Sequence, residues 1–276
     1  MTTKPSVIVT GCSTGIGAHC ARRLRDDGWH VVASAREDED LARLRDEGFE
    51  AIFLEHRDPD SIAKFFDQAM VATGGRLDAL FNNAGYAQPG AVEDLPIEAL
   101  REQMEVNFFA YHQLMLLAAP VMRAQGHGRI VNCSSIMGRT CMPWRAAYTA
   151  SKFALNALTV TLRMELEGTG VYASVIEPGS IPSNIALNGA AYADKYIDLE
   201  ASPHREKLEK RLANLRSQPA PTDLSGAEPV YNALRKALTA RRPKPHYPVT
   251  MQAHIGIMME RFLPKDVVYR LLASMA

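Results

Sequence analysis

Tyr148 and Lys152 stand four residues apart in the stretch AAYTASKFAL, residues 146–155. On a helix, side chains at this spacing lie on one face. A lysine ammonium close to a phenol favours the phenolate, and therefore lowers the pKa of the phenol from its usual value of about 10. The pair could then act as a general acid or base. The same spacing also arises by accident on amphipathic helices, so the pair alone does not define an active site.

Other polar or small residues stand where predicted strands end. Ser134 and Ser135 end the strand before the helix of the pair, FNNAG at 81–85 ends the strand before that, and EPG at 177–179 ends the next one. Because α/β proteins bind ligands at the carboxyl edge of the sheet, we expect these groups to meet there. Asn107 lies in the middle of a predicted helix, where asparagine is a poor helix former. It could bend that helix or hold a water molecule.

A glycine-rich turn follows the first predicted strand. The segment VTGCSTGIGAHC places Gly11, Gly15 and Gly17 between a strand and a helix. Glycine lets the backbone turn tightly and approach a ligand closely. The helix that follows directs free N–H groups and its positive dipole end at the turn, which favours a pyrophosphate. The spacing G-x-x-x-G-x-G differs from the G-x-G-x-x-G of other dinucleotide folds.

The residue after the second predicted strand bears on the choice of cofactor. An acid at this position would bind the ribose hydroxyls of NAD, but the segment ASAREDED places Arg36 there. A guanidinium can hold a phosphate through two parallel hydrogen bonds. We therefore predict NADP over NAD. Glu37, Asp38 and Asp40 follow closely and could pair with Arg36 instead.

Strand and helix patterns alternate along most of the chain, which predicts a doubly wound parallel sheet of the Rossmann type, an α/β fold with helices on both faces. The predicted strands are 6–10, 30–35, 50–55, 77–83, 128–135 and 171–179, with an edge strand at 244–250. The predicted helices are 15–28, 38–48, 60–73, 146–168 and 224–240, and residues 98–124 are predicted to contain one long or two shorter helices. We expect residues 1–276 to form one domain.

The composition bears on whether the protein binds nucleic acid or metal or spans a membrane. The 276 residues are 47% hydrophobic and 22% charged, with 31 basic and 31 acidic side chains. A net charge of zero gives no indication of a nucleic-acid partner. The four cysteines show no metal-ligand spacing, so we expect reduced thiols, no metal and a cytoplasmic protein. The apolar runs are too short for a transmembrane helix or a signal peptide.

Two segments interrupt or follow the alternation. Residues 180–226 are either a surface excursion or a lid, and their apolar side chains could cover a hydrophobic substrate or simply pack the loop down. Residues 251–276 form an amphipathic tail that could cover the pocket, join a subunit interface or touch a membrane. We expect the tail to pack on the protein. Met137, Met142 and Trp144 are candidates for lining the pocket.

Taken in order, these motifs resemble the short-chain dehydrogenase/reductase superfamily. The motifs are T-G-x-x-x-G-I-G at 10–17, N-N-A-G at 82–85, Asn107, N-x-S-S at 132–135, Y-x-x-x-K at 148–152 and P-G at 178–179. The resemblance runs from residue 6 to about 183. The segment KPHYPVT and the C-terminal tail look like the subgroup of bacterial NADP-dependent aldehyde reductases, 17β-hydroxysteroid dehydrogenases and retinol dehydrogenases.

The resemblance implies a role for each residue. Tyr148 exchanges a proton with the carbonyl or alcohol oxygen, Ser135 orients the carbonyl, and Lys152 lowers the pKa of Tyr148 and binds the nicotinamide ribose. Asn107 holds a water that links Lys152 to solvent. The implied cofactor-binding residues, besides Tyr148 and Lys152, are Gly11, Ser13, Thr14, Gly15, Ile16, Gly17, Arg36, Glu55, His56, Asn83, Ala84, Gly85, Pro178, Gly179, Ile181 and Ser183.

The chain departs from the family pattern at two places. Glu55 and His56 stand where the family usually has an aspartate and an aliphatic residue against the adenine. Ser183 is the nearest hydroxyl to the usual position of a threonine that touches the carboxamide.

The leading hypothesis is an NADP(H)-dependent oxidoreductase acting on a hydrophobic aldehyde or ketone, or the corresponding alcohol. The alternatives are a catalytically silent NAD(P)-binding sensor or scaffold, and a related epimerase or dehydratase. The resemblance also favours a homodimer or homotetramer.

Overall fold

A seven-stranded parallel sheet organises the chain, for which a computed structural model describes residues 4–181, 184–217 and 224–274. The strands lie in the order β3-β2-β1-β4-β5-β6-β7, and each neighbouring pair is parallel. The strands are β1 (Ser6–Val9), β2 (His30–Ala35), β3 (Glu50–Phe53), β4 (Ala79–Asn82), β5 (Gly128–Cys133), β6 (Val171–Pro178) and β7 (His246–Val249).

Helices connect the strands and extend beyond the last one. They are α1 (Gly15–Asp26), α2 (Asp38–Asp46), α3 (Pro59–Ala72), α4 (Ile97–Met104), α5 (Ala110–Gln125), α6 (Ala146–Glu165), α7 (Ile185–Tyr196), α8 (Arg205–Arg216), α9 (Glu228–Thr239), α10 (Met251–Phe262) and α11 (Lys265–Ser274). A π-helical segment, Glu105–Phe109, joins α4 to α5. The predicted doubly wound α/β fold is confirmed.

The sheet is apolar on both faces because side chains alternate along each strand. Val7 and Val9 of β1 point into a core shared with α1 and α9. Ile8, between them, points into a second core shared with α3 and α5. A parallel sheet covered on both faces needs such continuous apolar strands. The predicted edge strand is also confirmed: β7 pairs only with β6 in the sheet, and the edge position accommodates Pro248.

Several predicted strands are too long: β4 covers Ala79–Asn82 and not 77–83, and β5 ends at Cys133 and not at 135. The strand predicted to reach residue 55 ends at Phe53, because the Glu55 N–H turns to the Ser61 hydroxyl (3.0 Å) at the start of α3. Of the two possibilities for 98–124, the structure has two α-helices, α4 and α5, joined by π-helical hydrogen bonding around Asn107.

The segment 180–226 contains two helices that pack against each other, α7 and α8. The ring of Tyr192 on α7 stacks on Tyr86 in the loop after β4, with centroids 3.8 Å apart. Ile197 joins Leu95 from that loop in one apolar cluster. Helix α7 and the residue after it are therefore packed on the loop after β4.

The C-terminal tail packs on the protein through part of its surface. Ala253 of α10 and Val268 of α11 are fully buried, whereas Met258 and Phe262 of α10 are exposed. Ala253 belongs to an apolar cluster that includes Tyr148. Throughout the described residues, helices fall short of the length and hydropathy needed to cross a membrane.

Candidate active site

Helix α6 buries Tyr148 and Lys152 together at the carboxyl end of β5. Their exposed fractions are 9% and 3%, so both polar groups are held away from bulk water. The Lys152 Nζ donates a hydrogen bond to the carbonyl oxygen of Cys133, the last residue of β5, at 2.8 Å. It also lies 5.7 Å from the centroid of the Tyr148 ring. The spacing of the pair on one helix face is as the sequence predicted.

Ser135, two residues beyond β5, lies between Tyr148 and the end of β6. Its hydroxyl accepts a hydrogen bond from the Met137 N–H at 3.1 Å and donates one to the Pro178 carbonyl oxygen at 3.4 Å, and its interaction with the phenol favours a lower Tyr148 pKa. Ser134 is used differently, since its hydroxyl contacts the Lys152 carbonyl oxygen at 3.5 Å. Of the two serines, Ser135 is therefore the one that influences the phenol.

Burial controls the charge states of this pair. It raises the pKa of Tyr148 to about 12, against the opposing effects of the Ser135 hydrogen bond and the nearby Arg145 charge. Burial also lowers the pKa of Lys152 to about 8. The sequence predicted that Lys152 lowers the phenol pKa; that direction is wrong here, because desolvation of the phenolate outweighs the lowering effects, which come from Ser135 and Arg145. Tyr148 therefore keeps its proton at neutral pH, the form that can donate.

Asn107 holds the loop that follows β4. Its Nδ2 donates to the Tyr86 carbonyl oxygen at 2.9 Å, and its Oδ1 accepts from the Tyr86 N–H at 3.2 Å. Gly85 leaves room for this contact, since a Cβ there would lie 2.9 Å from the Asn107 Oδ1. The π-helical turn at Asn107 breaks the regular α-helical pattern, and such turns are frequent at functional sites.

The glycine-rich loop lies against β2 and the start of α1. Gly11 and Gly15 have φ angles of 70° and 60°, which side chains with a Cβ rarely adopt. The Gly11 N–H donates to the Ser34 hydroxyl at 3.1 Å. Gly17 packs on the Gly11 carbonyl so closely that a Cβ would overlap it. Bare backbone therefore forms the floor at the N-terminus of α1, as a phosphate site requires.

The remaining loop residues have distinct positions. Ser13 is half-buried, Thr14 is exposed and does not cap α1 with its side chain, and Ile16 packs on the core. The first N–H groups of α1 thus receive no cap from Thr14.

The N-N-A-G segment ties this loop to β4. The Asn83 Nδ2 donates to the Thr10 carbonyl oxygen at 3.0 Å, and the Thr10 hydroxyl accepts from the N–H groups of Asn83 and Ala84 at 2.9 and 3.1 Å. The Tyr111 hydroxyl donates to the Ala84 carbonyl oxygen at 2.8 Å. Asn83 therefore supports the backbone of the glycine-rich loop.

Two arginines flank the carboxyl end of β2. Arg36 is about half exposed and its Nε donates to Glu37 at 2.9 Å, the alternative pairing considered from the sequence. Sequence reasoning missed Arg43 on α2, whose Nη2 donates to the Ser13 carbonyl oxygen at 2.7 Å. Arg43 also forms an ion pair with Asp40 at 2.6 Å, one turn earlier on α2, and no signal in the sequence separated it from an ordinary surface arginine.

Glu55 and His56, at the carboxyl end of β3, differ in their contacts. Glu55 accepts hydrogen bonds from the Arg57 guanidinium, the shortest of them from Nη2 to the Glu55 Oε2 at 2.6 Å. Burial lowers the pKa of His56 to about 4, so the ring is neutral. Its Nε2 is buried and has no hydrogen-bond partner within the described part of the chain.

The P-G segment, Pro178 and Gly179, lies at the carboxyl end of β6. The Gly179 N–H donates to the Val249 carbonyl oxygen of β7 at 3.0 Å, and Pro178 ends β6. Ile181 packs on the core cluster beside α9. Ser183 lies outside the described residues.

A buried carboxylate that the sequence analysis did not use supports this end of the sheet. Glu177 of β6 is fully buried, and its Oε1 lies 2.6 Å from the Arg139 Nε, 3.0 Å from the Asn156 Nδ2 and 3.2 Å from the His246 Nδ1. It therefore joins β6, β7 and α6 beneath the reactive groups. The sequence could have indicated this residue, because Glu177 is the only acid in the otherwise apolar strand VYASVIEP.

Apolar side chains surround the phenol. Met137 packs with Tyr148, Ile136 and Ala253, and Met142 packs against this cluster. Trp144 packs with α7 and α8 instead. An apolar cavity of about 560 Å³ lies between α6 and α11; Met142 lines it, whereas Tyr148 and Lys152 do not.

Comparisons with known proteins agree with this geometry. A family profile described as short chain dehydrogenase matches residues 5–191. The oxidoreductase YbbO of Escherichia coli K12 is 34% identical over 268 residues, covering 97% of this chain and 93% of that protein. An NADPH-dependent 3-dehydrocapnine reductase of Ornithobacterium rhinotracheale is 29% identical and covers 94% of both chains. A short-chain dehydrogenase structure from Streptomyces avermitilis superposes with a TM-score of 0.78 at 26% identity, covering 96% of this chain and 94% of that one.

Proposed function

The chain belongs to the short chain dehydrogenase family and is an oxidoreductase of that family, and on this premise we propose that it is NADP(H)-dependent and acts on hydrophobic carbonyl compounds. The reaction transfers a hydride between the nicotinamide and an aldehyde or ketone, or the corresponding alcohol. The observation that carries the proposal is the joint burial of Ser135, Tyr148 and Lys152 at the carboxyl end of β5, with the Lys152 ammonium held on the Cys133 carbonyl oxygen. A protein that only binds a dinucleotide gains little from this costly arrangement.

Each polar group of the pocket has a role in this proposal. Tyr148, protonated at neutral pH, donates its proton to the carbonyl oxygen during reduction and removes it during oxidation. Ser135 donates a hydrogen bond to the same oxygen and stabilises the negative charge that develops there. Lys152 binds the ribose next to the nicotinamide and places a positive charge near the phenol. The nicotinamide, when bound, supplies the hydride chemistry itself.

Asn107 is proposed to position this machinery. Its side chain hydrogen-bonds both the N–H and the carbonyl oxygen of Tyr86, and so holds the loop after β4 in place. In the proposed proton relay, Asn107 also holds a water that connects Lys152 to solvent.

The cradle of bare backbone at Gly11, Gly15 and Gly17 fits a dinucleotide pyrophosphate. Arg36 favours the 2′-phosphate of NADP, because it stands where an acid would otherwise bind the ribose hydroxyls. Arg43, which reaches the Ser13 carbonyl oxygen of the glycine-rich loop, adds a second guanidinium on that side. The relative named as NADPH-dependent supports the same preference. Glu55 and His56 would face the adenine, and Asn83 and Gly85 would support the adenosine side. Pro178, Gly179, Ile181 and Ser183 would serve the nicotinamide side.

A hydrophobic substrate is supported by the apolar cluster around Tyr148. Residues 180–226 act as the lid in this proposal, and the tail at 251–276 completes the wall through Ala253. We also propose one domain over residues 1–276, assembled as a homodimer or homotetramer in the cytoplasm.

The proposal is tested by following NADPH absorbance with a panel of aldehydes, retinoids, steroids and short ketones, with NADH as the matched control. Consumption of NADPH with a hydrophobic carbonyl, and slower use of NADH, is expected. Binding of NADPH without consumption across the panel would favour a sensor or scaffold. Product formation without net NADPH use would indicate an epimerase or dehydratase instead.

A further inference from the structure

Two arginines near Tyr148 lack anionic partners. Arg145 immediately precedes α6 and lies three residues before Tyr148, and Arg211 lies on the lid helix α8. Both are half-buried. Neither guanidinium has a hydrogen bond or an ion pair within residues 4–181, 184–217 and 224–274, and the Nε of Arg211 is buried. Arginines in folded proteins rarely lose water without gaining a partner.

The packing between lid and catalytic helix brings these arginines to one seam. Trp144, next to Arg145, packs in one apolar cluster with Leu208 and Leu212 of α8. Arg211 is the residue beside Leu212. The seam thus contains one arginine from the base of α6 and one from the lid.

The backbone at this seam is held in an unusual conformation. Trp144 has a φ of 65°, which costs free energy for a bulky side chain. Its carbonyl oxygen accepts a hydrogen bond from the Gly90 N–H at 3.1 Å, and Gly90 also forms a β-bridge with Arg145. The loop after β4 therefore fixes the direction in which Arg145 leaves the chain.

The two positive charges interact with each other and with the phenol. Burial lowers the pKa of Arg211 to about 10, and the charge of Arg145 lowers it further in the same direction. Burial also lowers the pKa of Arg145, against the opposing effect of Tyr148. Two unpaired cations placed together destabilise the free protein. Their retention beside a reactive group is typical of a binding site.

Nearby carboxylates are engaged with other groups. Glu93 pairs with His204 at 2.6 Å, and Asp94 accepts a hydrogen bond from Ser202. The lid carboxylates are likewise paired, Asp194 with Arg216 and Glu200 with Arg205. Within the described residues, therefore, these acids do not neutralise Arg145 and Arg211.

We propose that the substrate of this site carries an anionic oxygen group, such as a carboxylate, which binds between Arg145 and Arg211 while its carbonyl lies at Tyr148. A guanidinium can grip a carboxylate through two parallel hydrogen bonds, and the lid arginine would then close on a bound acid. Combined with the apolar cluster around Tyr148, this describes an amphiphilic oxo-acid. The inference rests on the proposed carbonyl reduction.

Matched acids and esters test the inference. The probes are 4-formylbenzoate and 12-oxododecanoate, each compared with its methyl ester in the NADPH assay. We expect kcat/KM to favour each acid over its ester. Because a hydrogen bond to a charged group is worth about 1.5–3 kcal/mol, Arg145→Met or Arg211→Met should lower kcat/KM for the acid by roughly 10- to 100-fold. The ester should change by less than about threefold.

Arg205→Met is the matched control, since Arg205 lies on the same helix but is exposed and pairs with Glu200 and Glu209. It should leave the acid-to-ester ratio unchanged. Equal loss for acid and ester in the Arg145 and Arg211 variants, or an ester preference in the wild type, would overturn the inference. Either result would leave the proposed carbonyl reduction intact.

A binding measurement separates the two proposals if turnover is absent. Calorimetry of decanoate with the NADPH-loaded protein should show binding that weakens at least about tenfold in Arg211→Met and in Arg145→Met. Decanoate binding that is absent, or is unchanged by both substitutions, contradicts the anionic site. Failure to reduce any carbonyl while this binding persists would instead contradict the proposed function.

Discussion

The Nζ of Lys152 lies 2.8 Å from the carbonyl oxygen of Cys133, so the lysine of α6 is fastened to the last residue of β5. This contact fixes the distance between the helix that carries Tyr148 and the strand end that leads to Ser135. It is made by a side chain that is only 3% exposed. The cost of that burial appears as a lysine pKa lowered to about 8.

Lys152→Met should remove a pH-dependent penalty on stability. Between pH 8 and 10.5, lysine in the unfolded chain is protonated to a greater extent than Lys152 in the folded protein. The free energy of unfolding of the wild type therefore rises with pH in that window. The penalty is fully present below pH 8. We expect the difference in unfolding free energy between wild type and variant to change by about 2–3 kcal/mol from pH 7.5 to 10.5.

Urea unfolding of both proteins across this pH range measures the difference. Lys210→Met, at an exposed position on α8, is the control and should follow the wild type at every pH. Parallel pH profiles for the wild type and Lys152→Met would show that the buried lysine is not the source of the effect.

Arg36→Ala should weaken NADPH more than NADH. Loss of a charge-assisted hydrogen bond to the 2′-phosphate corresponds to about 1.5–3 kcal/mol, or roughly a 10- to 100-fold rise in the KM for NADPH. Glu37→Gln is the matched control, because it frees Arg36 from its 2.9 Å ion pair and should not weaken NADPH. An equal effect of Arg36→Ala on both cofactors would rule out 2′-phosphate binding by this residue.

Gly17→Ala should damage the cofactor site although alanine is the better helix former. A Cβ at Gly17 would overlap the Gly11 carbonyl oxygen, whereas a Cβ at Gly256 in α10 would meet only the end of the Ile136 side chain at 3.2 Å. Thermal unfolding and NADPH titration are the measurements. Gly17→Ala should lose stability and NADPH affinity, and Gly256→Ala should retain both. Unimpaired NADPH affinity in Gly17→Ala would show that the close loop packing is dispensable.

The alternation of elements was enough to predict the parallel sheet, because buried strands and amphipathic helices carry different local periods. The Tyr148 and Lys152 spacing likewise predicted their shared face. The direction of the Tyr148 pKa could not be predicted, since it depends on how deeply the helix is buried and not on the lysine alone. Arg43 and Arg211 were missed for a related reason: their positions depend on contacts with Ser13 and with the packed lid, far away in sequence.

Replacement of Tyr148 by Phe tests the central claim most directly. The variant keeps the ring and loses the proton donor, whose contribution is typically about 100- to 10,000-fold. With a carbonyl compound that the wild type reduces, kcat for NADPH oxidation should fall by at least about 100-fold, while NADPH affinity measured by fluorescence stays within about threefold. Turnover by Tyr148→Phe close to that of the wild type would contradict the assignment of Tyr148 as the proton donor of this oxidoreductase.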